Sequence, residues 1–303
     1  MIRIEPVPGP MVPEALQFIA GGTRRDALVE SQARYVEQTI RARNAQAVRL
    51  WWARRWRGPV AAAVVLENPG RTGMLLHSAW QSPGVDGEAL IELLRGIGED
   101  AIQGGLSLVQ SLQSPQDQAD AQALTAAGYQ RLAELIYMKR DLVLPIWREK
   151  PELTWRRYDQ FTLPELMDVI AATYRQSLDC PALSGVRELS DVIEGHRATG
   201  VFQPQTWWIV DREGSPAGCI LVNDSAGGDS AEAVYLGVVP AHRGHGLARD
   251  MLRRAAAHSY GRGLKSLTLA TDAQNVYARR IYESEGFGQT LRRLAYAMLR
   301  AKK

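Results

Sequence analysis

The stretch "VVPAHRGHGLARDML", residues 238–252, decides how the chain is read. A strand-like run of apolar and small residues, Tyr235 to Val239, stops at Pro240. A segment holding Gly244 and Gly246 then opens directly into a helical pattern in which Leu247, Met251, Leu252 and Ala255 share one face. A helix entered this way leaves its first N–H groups without intrahelical partners, and its dipole adds roughly half a positive charge at that end. Gly244, Gly246 and Ala248 lack bulk, so an anion such as a diphosphate can approach the backbone closely, with Arg243 placed to add charge from the side. The spacing Arg243-x-x-Gly246-x-Ala248 is neither a Walker loop, which needs Gly-Lys-Ser/Thr, nor the Gly-x-Gly-x-x-Gly dinucleotide fingerprint.

The elements around this turn are legible from their periods. Thr162-Leu163-Pro164-Glu165 is a capping box that starts a helix through Leu166, Val169 and Ile170. "TWWIVDREGSPAGCILV" reads as a hairpin turning at Glu213 to Pro216, "AEAVYLGVV" as a further strand, "SLTLAT" as the next, and "AYAMLR" as the strand that closes the domain. Helices interleaved with a mostly antiparallel sheet give an α/β domain of the α+β, mixed-sheet kind.

The whole chain of 303 residues, 46% hydrophobic, has the size of two domains. Prolines bracket "DLVLPIWREKP", and the join is expected near Glu149, dividing the chain into 1–148 and 149–303. The halves rhyme: Gly128-Tyr129 falls opposite Gly286-Phe287 in parallel stretches about 158 residues apart, a period that indicates a duplicated domain. A net charge of +3, from 36 basic against 33 acidic residues, asks for no nucleic-acid or membrane partner. Cys180 and Cys219 lack metal-ligand spacing; the first ten residues hold no apolar core of signal-peptide length and no 18-residue apolar run follows, so neither secretion nor membrane spanning is expected. A cytoplasmic protein, monomeric or homodimeric, without metal, is expected.

The turn together with "NVYARRIYESEGF", residues 275–287, resembles the GCN5-related N-acetyltransferase (GNAT) superfamily. The resemblance covers the second half. The first half resembles the family in fold only: "SPGVDGEAL" stands where the glycine turn should be, and Leu124 lies opposite Tyr282. The implied architecture is two tandem GNAT-like domains with a degenerate N-terminal copy. The implied donor is acetyl-CoA, its pyrophosphate on Arg243, Gly244, His245, Gly246, Leu247 and Ala248, its pantetheine along the strand from Val234 to Val239, and Asn275 nearby as a helix cap or pantetheine contact.

Gly237 is expected to mark a bulge that splays this strand from "SLTLAT". Acyl transfer to an amine needs one proton removed from the acceptor, one delivered to the thiolate, and an N–H for the carbonyl oxygen. The resemblance puts Tyr282 in the acid's role, the Val238 N–H in the oxyanion's and Glu232 in the base's, with a water chain as the alternative base. Arg249, Arg253 and Arg254 are candidates for the adenosine phosphate. His242 and His245, without carboxylate support, are expected at the surface.

Residues 173–197 are expected to cover the acceptor, with Asp179, Cys180, Glu194 and His196 as the polar or reactive members. Trp207, Trp208, Trp51, Trp52 and Trp56 are expected to fill the sheets. The reading is an N-acetyltransferase acting on a small-molecule amine; a protein lysine or N-terminal acetyltransferase and a non-catalytic acyl-CoA sensor stand as alternatives.

Overall fold

Apolar alternation and helical stripes produce two packing units, described by a computed structural model over residues 2–22, 30, 33–34, 36–38, 48–143, 147–148, 150–183 and 185–301. The first unit comprises Met1–Leu132 with Arg293–Lys303, the second Ala133–Arg292. Glu149, the expected join, lies outside the described residues.

In the first unit, strands β1 (Arg3–Pro6), β2 (Val48–Arg55), β3 (Gly58–Asn68), β4 (Thr72–His77) and β5 (Leu108–Gln113) lie side by side in that order. Helices α1 (Val12–Gly21), α2 (Gly87–Gln103) and α3 (Gln118–Ala126) accompany them. The outermost strand comes from the far end of the chain: Leu294–Leu299 pairs antiparallel with Leu108–Gln113. Thus "AYAMLR" is a strand, as its pattern requires, but it completes the first unit's sheet and does not close its own half. Local alternation fixes a strand's faces; its partner is a long-range choice that no window of sequence records.

The second unit begins within β6 (Gln130–Asp141) and continues through β7 (Leu153–Arg157), α4 (Leu163–Tyr174), α5 (Leu189–Ala198), β8 (Trp207–Arg212), β9 (Ser215–Asp224), β10 (Ser230–Val238), α6 (Leu247–Gly261), β11 (Ser266–Asp272) and α7 (Val276–Ser284). The final strand, β12 (Gly288–Leu299), leads back into the first unit. The second sheet runs β6-β11-β10-β9-β8-β7, with Leu135–Asp141 of β6 antiparallel to β11.

The expected capping box forms: Thr162 Oγ1 accepts from the Glu165 N–H at 3.3 Å and Glu165 Oε2 accepts from the Thr162 N–H at 2.7 Å, contributing on the order of 1 kcal/mol to the start of α4. One face of the sheet buries Leu247, Met251, Leu252 and Ala255 of α6; the other buries Leu166, Val169 and Ile170 of α4. Each large aliphatic side chain so covered is worth roughly 1.5–3 kcal/mol. Trp52, Trp207 and Trp208 fill the sheets as expected. Trp56 does not: it sits in the turn between β2 and β3, 86% exposed, under the Arg57 guanidinium at 4.5 Å, because a tight hairpin tip has no sheet face to fill.

Candidate active site

The turn after β10 has the open geometry its glycines suggest. Gly246 is the N-cap of α6 and offers no side-chain cap. Gly244 and Gly246 take φ of 80° and 79°, a left-handed conformation that strains any residue with a Cβ. A Cβ at either would meet nothing within 4 Å, so these glycines serve the backbone's path and leave the helix end bare. That end faces a cavity of ≈ 950 Å³, which runs along β10 from Ala233 to Val238, past Leu269–Thr271 of β11, to Tyr282 of α7.

The cavity exists because two strands part. β10 and β11 pair in parallel only over Ser230–Glu232 and Ser266–Thr268. The register of β10 against β9 shifts between Ala233 and Tyr235, a bulge centred on Val234, and bulges bend and re-aim a strand. The expectation that Gly237 marks this bulge is therefore corrected. A Cβ on Gly237 would lie 2.6 Å from Thr173 Oγ1 and 2.8 Å from the Tyr235 hydroxyl, so that glycine admits the close approach of α4. Beyond the bulge, the Val239 N–H donates to Ala217 O of β9 at 2.9 Å. Alternation then aims the Val238 N–H away from β9, into the gap.

Arg243 lines the cavity, but its side chain is spent on main-chain carbonyls. Nε donates to Val238 O at 3.0 Å, one terminal nitrogen to Gln176 O at 3.0 Å, and the other to Thr173 O at 2.9 Å and Arg175 O at 2.8 Å. The guanidinium thus caps the C-terminal end of α4, where the helix dipole favours a cation. It also clasps Gln176, a non-glycine residue at φ 56°. The sequence could not show the three partners in and after α4, because they lie 67–70 positions away along the chain.

Tyr282 is buried at the inner end of the cavity, against Phe287 at 6.0 Å. Burial, reinforced by the charge of Asp179, holds its phenol pKa well above the ordinary value, so it stays protonated near neutral pH. Glu232 occupies the last paired rung before the strands part, one residue short of the cavity lining, and burial raises its carboxyl pKa. Asn275 both lines the cavity and caps α7, accepting from the Ala278 N–H at 3.2 Å.

Among the arginines, Arg249 lines the cavity while pairing with Glu285 at 2.8 Å. Arg253 grips Glu285 through two bonds of 2.9 Å, and Arg254 stacks over Trp155, Trp147 and Trp208 at 4.5, 4.8 and 5.4 Å. The last two are structural cations away from the cavity. Arg280, exposed at the cavity wall, was missed, as was Tyr277, which is 67% exposed there; their positions two and five after Asn275 were the available signal. His245 is exposed with Nδ1 2.8 Å from Arg243 O, and His242 lines the cavity. Among the described residues no group of three or more His, Cys, Asp or Glu could hold a metal, and no helix is long and apolar enough to cross a membrane.

Of the acceptor-side candidates, Asp179 lines the cavity. His196 is half-buried beside Tyr235, 5.4 Å between rings, its pKa lowered to about 4 by desolvation and by Arg187; Glu194 is exposed. Neither lines the cavity. Cys180 adopts φ 44° and donates its N–H to Asp272 Oδ2 at 3.3 Å, with burial pushing its thiol up to about 12.

The first unit shows the same parting of strands, with β4 and β5 parallel only over Thr72–Met74 and Leu108–Gln110, but its gap is closed. Ser111 Oγ bonds Leu75 O at 3.2 Å, and Gln113 Nε2 lies 3.1 Å from His77 Nε2 across the opening. Asp86 caps α2, accepting from the Ala89 N–H at 3.1 Å and from Arg55 at 2.7 Å. The Trp80 ring covers Gly87, where a Cβ would fall 2.2 Å away. A carboxylate already occupies the place an anion would take.

Residues 172–287 match the acetyltransferase (GNAT) family. A mycothiol acetyltransferase from Thermobispora bispora is 34% identical over 91 residues, covering 28% of this chain; the match spans 31% of that relative's length. A GCN5-related N-acetyltransferase from Sphaerobacter thermophilus shares the fold at a TM-score of 0.60 and 20% identity, over 99% of this chain and 96% of its own. A tandem GNAT protein from the clavulanic acid biosynthesis pathway does so at 0.53 and 15%, over 100% of both. The family match is thus confined to residues 172–287, while the chain as a whole shares its mixed α/β fold with solved proteins that include a tandem GNAT protein.

Proposed function

We propose that this chain is a cytoplasmic N-acetyltransferase that moves an acetyl group from acetyl-CoA to the primary amine of a small molecule. The observation that carries the reading is one continuous path: an uncapped helix N-terminus, a slot between parted strands and a buried tyrosine. The residues fit the coenzyme. Gly244, Gly246, Leu247 and Ala248 offer open backbone for a diphosphate, with Val239, Arg243, His245 and Asn275 around them, and the unpaired edge of β10 suits an extended pantetheine chain. We further propose that residues 149–303 are the coenzyme-binding copy of a duplication and 1–148 the degenerate one.

Bound acetyl-CoA supplies an activated acyl thioester. The Val238 N–H donates to its carbonyl oxygen, Tyr282 delivers a proton to the sulfur, and Glu232 takes the proton of the acceptor nitrogen, through water since it stands just outside the cavity. The carbon–sulfur bond is exchanged for a carbon–nitrogen bond; an acceptor that arrives as ammonium first releases one proton to solvent to free its lone pair, and a second leaves nitrogen as one reaches sulfur.

Calorimetric titration with acetyl-CoA, followed by free-thiol release with a panel of amines, tests the reading. One coenzyme per chain is expected, and Tyr282→Phe should lose roughly 10²-fold in rate without losing coenzyme affinity. Full-speed Tyr282→Phe removes the acid assignment. Binding with no thiol release for any amine favours the acyl-CoA sensor, and release only with lysine or N-terminal peptides favours a protein acetyltransferase.

A further inference from the structure

The cavity is electrically lopsided. Arg243, Arg249, Arg280 and His242 line it, and among the described residues Asp179 is the one carboxylate in its lining. Arg243 and Arg249 belong to the turn and to α6, where the diphosphate is proposed to sit. Asp179 stands elsewhere, on the segment after α4.

Its position is built. Oδ1 accepts from the Asp272 N–H at 2.9 Å and from Thr271 Oγ1 at 3.2 Å, which pins the carboxylate to the end of β11. The segment is held again by Cys180 N–H to Asp272 Oδ2 and by the Asp179 N–H to Ser177 Oγ at 3.1 Å. On either side Gln176 and Cys180 carry left-handed backbone, φ 56° and 44°. Such conformations cost on the order of 1–3 kcal/mol each and persist where surrounding contacts impose them. Tyr174 and Tyr235, rings 6.0 Å apart, line the same region with Thr173. The phenols of Tyr174, Tyr235 and Tyr282 are held high chiefly by burial, with the charge of Asp179 adding to each, which puts this carboxylate within electrostatic reach of the acid.

We infer that Asp179 receives the acceptor as its ammonium ion, on a body that bears no carboxylate or phosphate of its own. The inference rests on the acetyltransferase reading and narrows its substrate class. One carboxylate oxygen braces the segment while the group's charge is offered to the cavity. Tyrosine faces beside it add favourable quadrupole contact for a cation, and their hydroxyls suit a body rich in hydroxyl or apolar groups. An acceptor with its own anion would bring like charge to Asp179, which is exposed, so the repulsion is felt at close range and weakens as salt is added.

The test measures free-thiol release from acetyl-CoA with matched probes: tyramine against L-tyrosine, D-glucosamine against its 6-phosphate, and 1,4-diaminobutane against L-ornithine. In each pair the first is expected to be the better acceptor by at least about tenfold. Asp179→Asn keeps an oxygen able to accept from Asp272 and removes only the charge. It should raise acceptor KM about tenfold or more, the size of a lost charge-assisted bond, while acetyl-CoA affinity by calorimetry stays within about threefold. Preference for the anionic member of the pairs, or an unchanged acceptor KM in Asp179→Asn with coenzyme still bound, overturns the inference and leaves the acetyltransferase reading intact. Coenzyme binding with no thiol release from any probe overturns both.

Discussion

Replacing Arg243 by alanine separates two roles for one side chain. If the guanidinium held a diphosphate, its loss would remove charge-assisted bonds worth about 1.5–3 kcal/mol, a fall of roughly 10- to 100-fold in acetyl-CoA affinity. The structure gives it four carbonyl partners instead: Val238, Thr173, Arg175 and Gln176. The bonds to Val238 and Thr173 are partly buried and the other two exposed. Counting mainly the former pair, Arg243→Ala should destabilise the second unit by about 2–4 kcal/mol, or roughly 5–15 °C in Tm. The loss should be local, because the strained backbone at Gln176 loses its clasp while the turn keeps its main-chain bonds from His242 N–H to Val239 O and Arg243 N–H to Pro240 O. Hydrogen exchange should show residues 175–180 losing protection, with acetyl-CoA affinity by calorimetry within about fivefold of wild type. Unchanged exchange there, alongside an affinity loss of twentyfold or more, would refute the clasp and restore the arginine to the diphosphate.

Two further outcomes follow from the same geometry. Gly237→Ala should destabilise the second unit by several kcal/mol, since its methyl would sit 2.6–2.8 Å from Thr173 and Tyr235, and Thr173→Ala in the same chain should recover part of the Tm; no recovery would separate Gly237 from α4. With burial raising the Glu232 pKa, the base is ionised only at higher pH than an ordinary carboxylate, so kcat should fall as pH drops through that raised value. Glu232→Gln should abolish this acidic limb, and its persistence would pass the proton to another group.

Local chemistry made much of this legible beforehand. Thr162 and Glu165 announced a helix start because a capping box is contained in four residues. Gly244 and Gly246 announced an open turn because positive φ is a property of the residue itself. The motif around Tyr282 likewise located the buried phenol. What stayed hidden depends on partners distant in sequence. The bulge sits at Val234, a residue with no turn propensity, and only its register against β9 reveals it. Gly237 looked like a bulge glycine because nothing local distinguishes a bend from a close helix crossing. The carbonyl partners of Arg243 at Thr173, Arg175 and Gln176 stayed hidden because they belong to a helix end far upstream. Asp179 was one of four polar candidates in its segment, and only the bonds to Thr271 and Asp272 distinguish it.

The pairing of Leu294–Leu299 with β5, and of β6 with β11, bears on where the chain can be cut. A fragment cut at the sequence midpoint would carry off a terminal ribbon whose hydrogen-bonding mate stays behind, and would bare the flank of "SLTLAT", a row of thirsty amides and carbonyls inviting aggregation. Each sheet takes one strand from the other half of the sequence, so a division at the midpoint takes a strand from both sheets at once.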